Sequence, residues 1–148
     1  DLKQSSVIIL QDAFTSFYEA PLVIYFVKLL QNPGFRVCVA PFHPIGKPLH
    51  IKGLLNWFNP SVRKNSEWLQ TLATLGVPIV GIEPSMVLTY RDEYPKSLGV
   101  KQLPVKIMLP LEWLVQQTDQ LRSKQILEPL RSYCLLGHCS EKTLALQS

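Results

Sequence analysis

The feature that most constrains this chain is a short unbroken aliphatic run at residues 7–10, Val-Ile-Ile-Leu, followed at helix-length intervals by apolar runs at residues 35–40 and 77–82. A strand with one face in water alternates apolar and polar side chains, whereas a strand covered on both faces has no reason to alternate. The pattern therefore predicts strands buried on both sides, as in a parallel sheet. Between the first two runs, Val23, Phe26, Val27 and Leu30 recur at i, i+3, i+4 and i+7, with Pro21 allowed in the first turn and Asn32-Pro33-Gly34 as a stop. Strand, helix and strand in that order make a βαβ unit.

Residues 41–60 change character to proline, glycine, histidine and asparagine, which reads as a long ordered loop leading to a short apolar helix around residues 53–58. Asn59 is placed to cap the next helix with Pro60 in its first position, and Val62, Leu69, Leu72 and Ala73 form its inner stripe before Gly76 ends it. The third strand then exits into Gly81-Ile82-Glu83-Pro84-Ser85-Met86 and on through Tyr90-Arg91-Asp92-Glu93 to Pro95, a dense polar turn. Open α/β sheets bind ligands at such strand exits. A loop at residues 96–104, a short strand at 105–109, a helix from Pro110 and a polar connection at 116–124 follow, with a last strand expected at 133–137. The expected fold is α/β: a three-layer, Rossmann-like open sheet, mainly parallel, with helices on both faces, over residues 1–148 as a single domain.

Composition narrows the function classes. With 148 residues, 47% hydrophobic content and a mean hydropathy of +0.11, the chain can bury one full core. Its longest apolar stretch, residues 21–30, is broken by Lys28 and falls short of the roughly 20 residues a membrane span needs. The net charge of +4 comes from basic residues scattered among Glu67, Asp92, Glu93 and Glu128, which describes a solvated surface and not a nucleic-acid face. Cys38, Cys134 and Cys139 form no even, regularly spaced framework, so a reducing cytoplasm is expected. The chain opens on Asp1 without a signal pattern and stops at Ser148 without an evident element ending, which reads as a piece of a longer polypeptide.

Known nucleotide signatures are missing. There is no G-x-G-x-x-G, no G-x-x-x-x-G-K-[ST] and no G-x-S-x-G elbow, and Ser85 has no local histidine to activate it. His43 and His50 flank a glycine-proline loop at no metal spacing, which favours loop-fixing hydrogen bonds. Arg91 beside Asp92 and Glu93 is read two ways, as a bidentate guanidinium for a carboxylate or partner and as part of a salt-bridge cluster. Cys38 and Cys134 fall in predicted strands among apolar neighbours and are expected in the core. Cys139 carries a soft thiolate that suits an iron–sulfur cluster or zinc, although one cysteine holds neither.

Three groups of runs carry a family resemblance: residues 7–19 with Gln11-Asp12-Ala13-Phe14-Thr15-Ser16-Phe17-Tyr18, then His50-Ile51-Lys52-Gly53, then residues 83–94 together with Leu136-Gly137-His138-Cys139-Ser140-Glu141-Lys142-Thr143. They resemble the C-terminal region of the very large FAD-linked oxidases. Those proteins join a flavin D-2-hydroxyacid dehydrogenase module, of the D-lactate and D-2-hydroxyglutarate type, to ferredoxin-like clusters and a cysteine-rich CCG domain. Each repeat of that domain, also found in heterodisulfide reductase, has an early cysteine, a Cys-Cys-Gly and a later Cys-x-x-Cys. Here Pro44-Ile45-Gly46-Lys47-Pro48 matches the Cys-Cys-Gly-x-Pro pattern and Glu83-Pro84-Ser85-Met86 matches Cys-x-x-Cys, so the scaffold is retained without its sulfur ligands. His138-Cys139 resembles the start of the second repeat.

The resemblance implies a structural or electron-transfer domain of a flavin and iron–sulfur oxidoreductase, with FAD and 4Fe–4S clusters in the parent and none in this piece. It implies Cys139 as a cluster ligand completed elsewhere, and the other domains of the same polypeptide and an electron acceptor of unstated identity as partners. The alternative is a cluster-free interaction or small-anion-binding module, using a loop pocket of His43, His50, Glu83, Tyr90 and Arg91 at the strand exits.

Overall fold

The computed structural model describes residues 5–122 together with Ser132 and Cys134. Its sheet contains β1 (Ser6–Leu10), β2 (Arg36–Val39), β3 (Ile79–Gly81) and β4 (Ile107–Met108), all parallel, in the order β2-β1-β3-β4. Helices connect them: α1 (Ala13–Phe17) and α2 (Ala20–Gln31), then α3 (Lys47–Ile51) and α4 (Leu55–Ala73), then α5 (Pro84–Leu88), a π-helical turn (Thr89–Glu93) and α6 (Tyr94–Leu98), and finally α7 (Pro110–Gln116) and α8 (Thr118–Arg122). The α/β architecture with a parallel sheet is the one expected.

Alternation along β1 explains the layers. Ile8 and Leu10 point to a cluster built with Phe58, Val62 and Leu69 of α4 and with Met86, Tyr90 and Tyr94. Val7 and Ile9 point the other way, to Leu30 of α2, Phe35, Val80 and Trp113 of α7. Four consecutive aliphatic side chains thus fill two cores, each of them 3% exposed or less. At roughly 1.5–3 kcal/mol for a fully buried aliphatic side chain, β1 contributes more to holding the layers together than any polar contact described below.

Several local expectations are corrected. Residues 47–51 form α3, beginning at Gly46 with φ 74°, where a loop was expected. No break separates an apolar helix from a second one capped by Asn59: α4 runs through Pro60. The helix tolerates the missing N–H because burial of Phe58 before it and Val62 after it holds both segments against the same sheet face. The dense polar turn after β3 is helical from Pro84 to Leu98. Cys38 is exposed: among the described residues β2 is an edge strand whose outer parts no helix covers. Cys134 is exposed as well and lies in no strand, and most of the strand expected at 133–137 is outside the described residues.

Gly81 at the end of β3 has a packing reason to be glycine. A Cβ there would stand 2.5 Å from Val87 Cγ2 and 2.8 Å from Met86 Cε, because α5 folds back directly onto the strand. Gly81→Ala is therefore expected to destabilise the fold by about 1–3 kcal/mol in a urea titration. An unchanged midpoint would mean that α5 is free to move away from β3.

Candidate functional site

In the order β2-β1-β3-β4 the chain leaves β1 toward one side of the sheet and returns to β3 on the other, so the carboxyl ends of β1 and β3 form the switch point of the sheet. The residues there are Gln11 and Asp12 after β1, and Ile82 and Glu83 after β3. Each polar group is already engaged. Gln11 Nε2 donates to Ala40 O at 3.2 Å. Asp12 caps α1, its Oδ1 accepting from Thr15 N at 2.8 Å while Thr15 Oγ1 accepts from Asp12 N at 3.1 Å. Glu83 caps α5 through Met86 N at 2.7 Å and also accepts from the Ser85 hydroxyl.

The run Glu83-Pro84-Ser85-Met86, which the resemblance sets against Cys-x-x-Cys, is a helix start whose carboxylate is spent on its own backbone. Met86 is 1% exposed, with its thioether in the core beside Val87 and Tyr90. The run at residues 44–48, which the resemblance sets against Cys-Cys-Gly-x-Pro, is tied down by oxygen and nitrogen groups. Asn65 Nδ2 donates to Pro44 O at 2.6 Å and to Tyr94 Oη at 2.9 Å, and Tyr94 Oη donates to Ile45 O at 2.9 Å. His43 Nδ1 lies 3.2 Å from Asn65 Oδ1 while its ring stacks on Trp68. A cluster needs several thiolates converging on one point; these positions offer a carbonyl cage and a buried thioether, so they do not fit one. Among the described residues, no group of three or more His, Cys, Asp or Glu side chains is arranged to hold a metal ion. Cys139 lies outside the described residues.

The π-helical turn distributes the next side chains. Its wider i→i+5 closure, Tyr94 N–H to Thr89 O, puts Tyr90 and Tyr94 into the same core with rings edge to face at 4.9 Å. Burial pushes the Tyr94 phenol up to about 12, against a lowering by the Asn65 hydrogen bond, and burial raises Tyr90 further. Both are neutral at neutral pH; Tyr94 hydrogen-bonds and packs, and Tyr90 packs in the core. Glu93 on the same turn pairs with Lys47, and His50 Nδ1 stands 3.8 Å from that carboxylate.

Arg91 takes the opposite direction, to the edge of the sheet. Ile8 N–H bonds Pro78 O and Ile82 N–H bonds Leu10 O, so alternate residues of β3 face β1 while Ile79 and Gly81 face β4. Ile107, paired with Ile79, consequently turns its carbonyl outward. Arg91 covers it, with Nε at 3.0 Å and Nη2 at 2.6 Å, and also grips Glu112 with Nη1 at 2.9 Å and Nη2 at 2.5 Å. These hydrogen bonds are the main reason the Glu112 carboxyl sits below its ordinary value; burial opposes them, and Leu109 N adds to them. The arrangement closes an open sheet edge.

A cavity of about 800 Å³ opens beside this edge, lined by Tyr90, Arg91, Lys101, Lys106, Glu112 and Gln116 among others. Of the five residues of the expected loop pocket, Tyr90 and Arg91 line it. His43, His50 and Glu83 do not: they serve Asn65 and Trp68, Glu93, and the α5 cap, respectively. Of the two readings of Arg91, the salt-bridge reading is the one built here, although its carboxylate partner is Glu112 and not the neighbouring Asp92, which pairs with Lys96. Asn65, Tyr94 and Glu112 were not singled out from the sequence. Asn65 had a readable signal: it stands on the Phe58, Val62, Leu69 face of α4, where a polar residue requires a buried partner.

The comparisons with known proteins bear on what this arrangement belongs to. Over 141 residues, 95% of this chain, it is 42% identical to the D-2-hydroxyglutarate dehydrogenase of Pseudomonas putida and 39% identical to that of Escherichia coli. The Haemophilus influenzae protein of the same name is 38% identical over 147 residues. This chain resembles one segment of D-2-hydroxyglutarate dehydrogenases. It spans 14% of the length of these relatives. No family model and no solved structure matches it.

Two predictions follow from the geometry. Asn65→Leu keeps the volume but strands the Pro44 carbonyl, and is expected to cost about 1–3 kcal/mol and to speed amide exchange across residues 43–50; exchange unchanged there would show that the loop is held by packing alone. Because the Glu112 carboxyl is depressed in the fold, its contribution is present above the unfolded carboxylate's value and lost as pH falls below it. Glu112→Gln should therefore flatten the acid limb of a stability profile, and an unaltered acid limb would count against the Arg91 pairing.

Proposed function

We propose that this region is part of a flavin and iron–sulfur D-2-hydroxyacid dehydrogenase of the D-2-hydroxyglutarate type, in which it is a structural domain that docks and orders its neighbours. The observation that carries this reading is the 42% identity across 95% of the chain to a protein of that name. FAD, the substrate site and the ferredoxin-like clusters belong to other parts of that polypeptide. The location is cytoplasmic in this reading; no described helix is long and apolar enough to cross a membrane.

The structural role, in preference to electron transfer within the described residues, is supported by how the two motif-matching segments are held. The loop at residues 44–48 is fixed by Asn65 and Tyr94, and the turn at 83–86 by its own Glu83 cap, with Met86 packed in the core. Oxygen–nitrogen hydrogen bonds there do the positioning that metal–thiolate bonds do in the cysteine-rich pattern. Cys139, assigned by resemblance to the second repeat, is the residue through which a cluster would touch this chain.

The test uses the intact polypeptide, with D-2-hydroxyglutarate and an artificial electron acceptor. Turnover with that acid is expected. Met86→Leu, a nearly volume-conserving core change costing less than about 1.5 kcal/mol, should leave iron content and turnover unchanged, whereas Cys139→Ser should lower iron content. Loss of iron in Met86→Leu would overturn the structural reading, and absence of D-2-hydroxyglutarate oxidation would overturn the assignment to this enzyme.

A further inference from the structure

Helix α2 carries two apolar stripes where a surface helix needs one. Val23, Phe26, Val27 and Leu30 face the sheet and are covered to differing degrees. Leu22, Tyr25 and Leu29 recur at i, i+3 and i+7 about 120° further round the helix. They are 46%, 67% and 55% exposed, and Tyr18, one turn before Leu22, is 80% exposed. Lys28 is the one charged residue among the twelve of α2. A helix that is apolar nearly all round is an interior helix, and here the described residues cover half of it.

We infer that this second stripe, Leu22, Tyr25 and Leu29 with Tyr18 and Phe17 beside it, is the surface by which the region docks on the remainder of its own polypeptide. The inference rests on the reading above as part of a longer dehydrogenase. Length is the argument for that occupant: the matched region is 14% of each relative, so a large amount of tethered chain is present at high effective concentration. The composition of the stripe agrees. Tyrosine and leucine with no carboxylate among them suit the desolvated centre of an interface, and the two phenol hydroxyls supply donors at its margin. A second copy of the chain would need the same stripe to pair with itself, without the advantage of a tether.

Hydroxyl-radical footprinting of the intact polypeptide tests this. Tyr18 and Tyr25 are expected to be protected from oxidation to the level of the core residues Tyr90 and Tyr94, and to remain so on dilution. Labelling at the rate of the unfolded polypeptide would overturn the proposal, and protection that disappears on dilution would overturn it in favour of a second copy. Tyr25→Glu with Leu29→Lys should increase proteolysis at the boundaries of this region while Tyr90 and Tyr94 stay protected; unchanged cleavage with those tyrosines still protected would also count against it. D-2-hydroxyglutarate turnover by the unaltered polypeptide reports separately on the enzyme assignment, so a protected stripe without turnover refutes that assignment and leaves the surface standing.

Discussion

Burial of β1 on both faces is the constraint on which the rest of this structure depends, because a strand of four aliphatic residues in succession has no side that can be left in water. Ile8 and Leu10 demand cover from α4 and the helices after β3; Val7 and Ile9 demand it from α2 and α7. With β1 between β2 and β3, the right-handed crossovers carry α2 to one face and α4 to the other. The positions of Met86, Tyr90 and Tyr94 follow from this. They come from the segment that closes one core after β3, and the absence of a Cβ at Gly81 lets that segment approach the strand closely.

Against that background, the polar groups around the switch point are engaged as structural partners. Asp12 and Glu83 each cap a helix, Asn65 and Tyr94 hold a loop, and Arg91 with Glu112 seals the outer edge of β4. Each has a hydrogen-bond partner within the chain, as a partly buried polar group requires. The cavity beside β4 is basic at its rim, but its most buried cation is already neutralised. These contacts brace the described part of a chain that resembles one short segment of much longer D-2-hydroxyglutarate dehydrogenases.

β1 to β4 and α2 were legible because burial on two faces and the 3.6-residue stripe leave direct marks on hydropathy. The helical nature of residues 84–98 was hidden by Glu83, Arg91, Asp92 and Glu93, whose charges imitate a solvated turn. Only contact with Lys47, Lys96 and Glu112, remote in sequence or on the next helical turn, reveals where those charges go. Pro60 misled for a related reason: a proline reads locally as a helix start, and the tertiary burial of Phe58 and Val62 outweighs one lost hydrogen bond. Cys38 read as core because its neighbours are apolar, yet a strand's burial depends on its place in the sheet order.

By itself, then, the sequence determined the parallel α/β class and the approximate positions of β1 to β4, since these are properties of residue type and short-range period. The tertiary structure alone decided that Asn65 and Tyr94 brace the loop at residues 44–48, that Arg91 pairs with Glu112 at the sheet edge, and that the described residues leave a second apolar face of α2 uncovered. The physical reason is the same in each case. Hydrogen-bond partners and solvent exposure are set by which distant segments meet, and no local pattern of side chains records that.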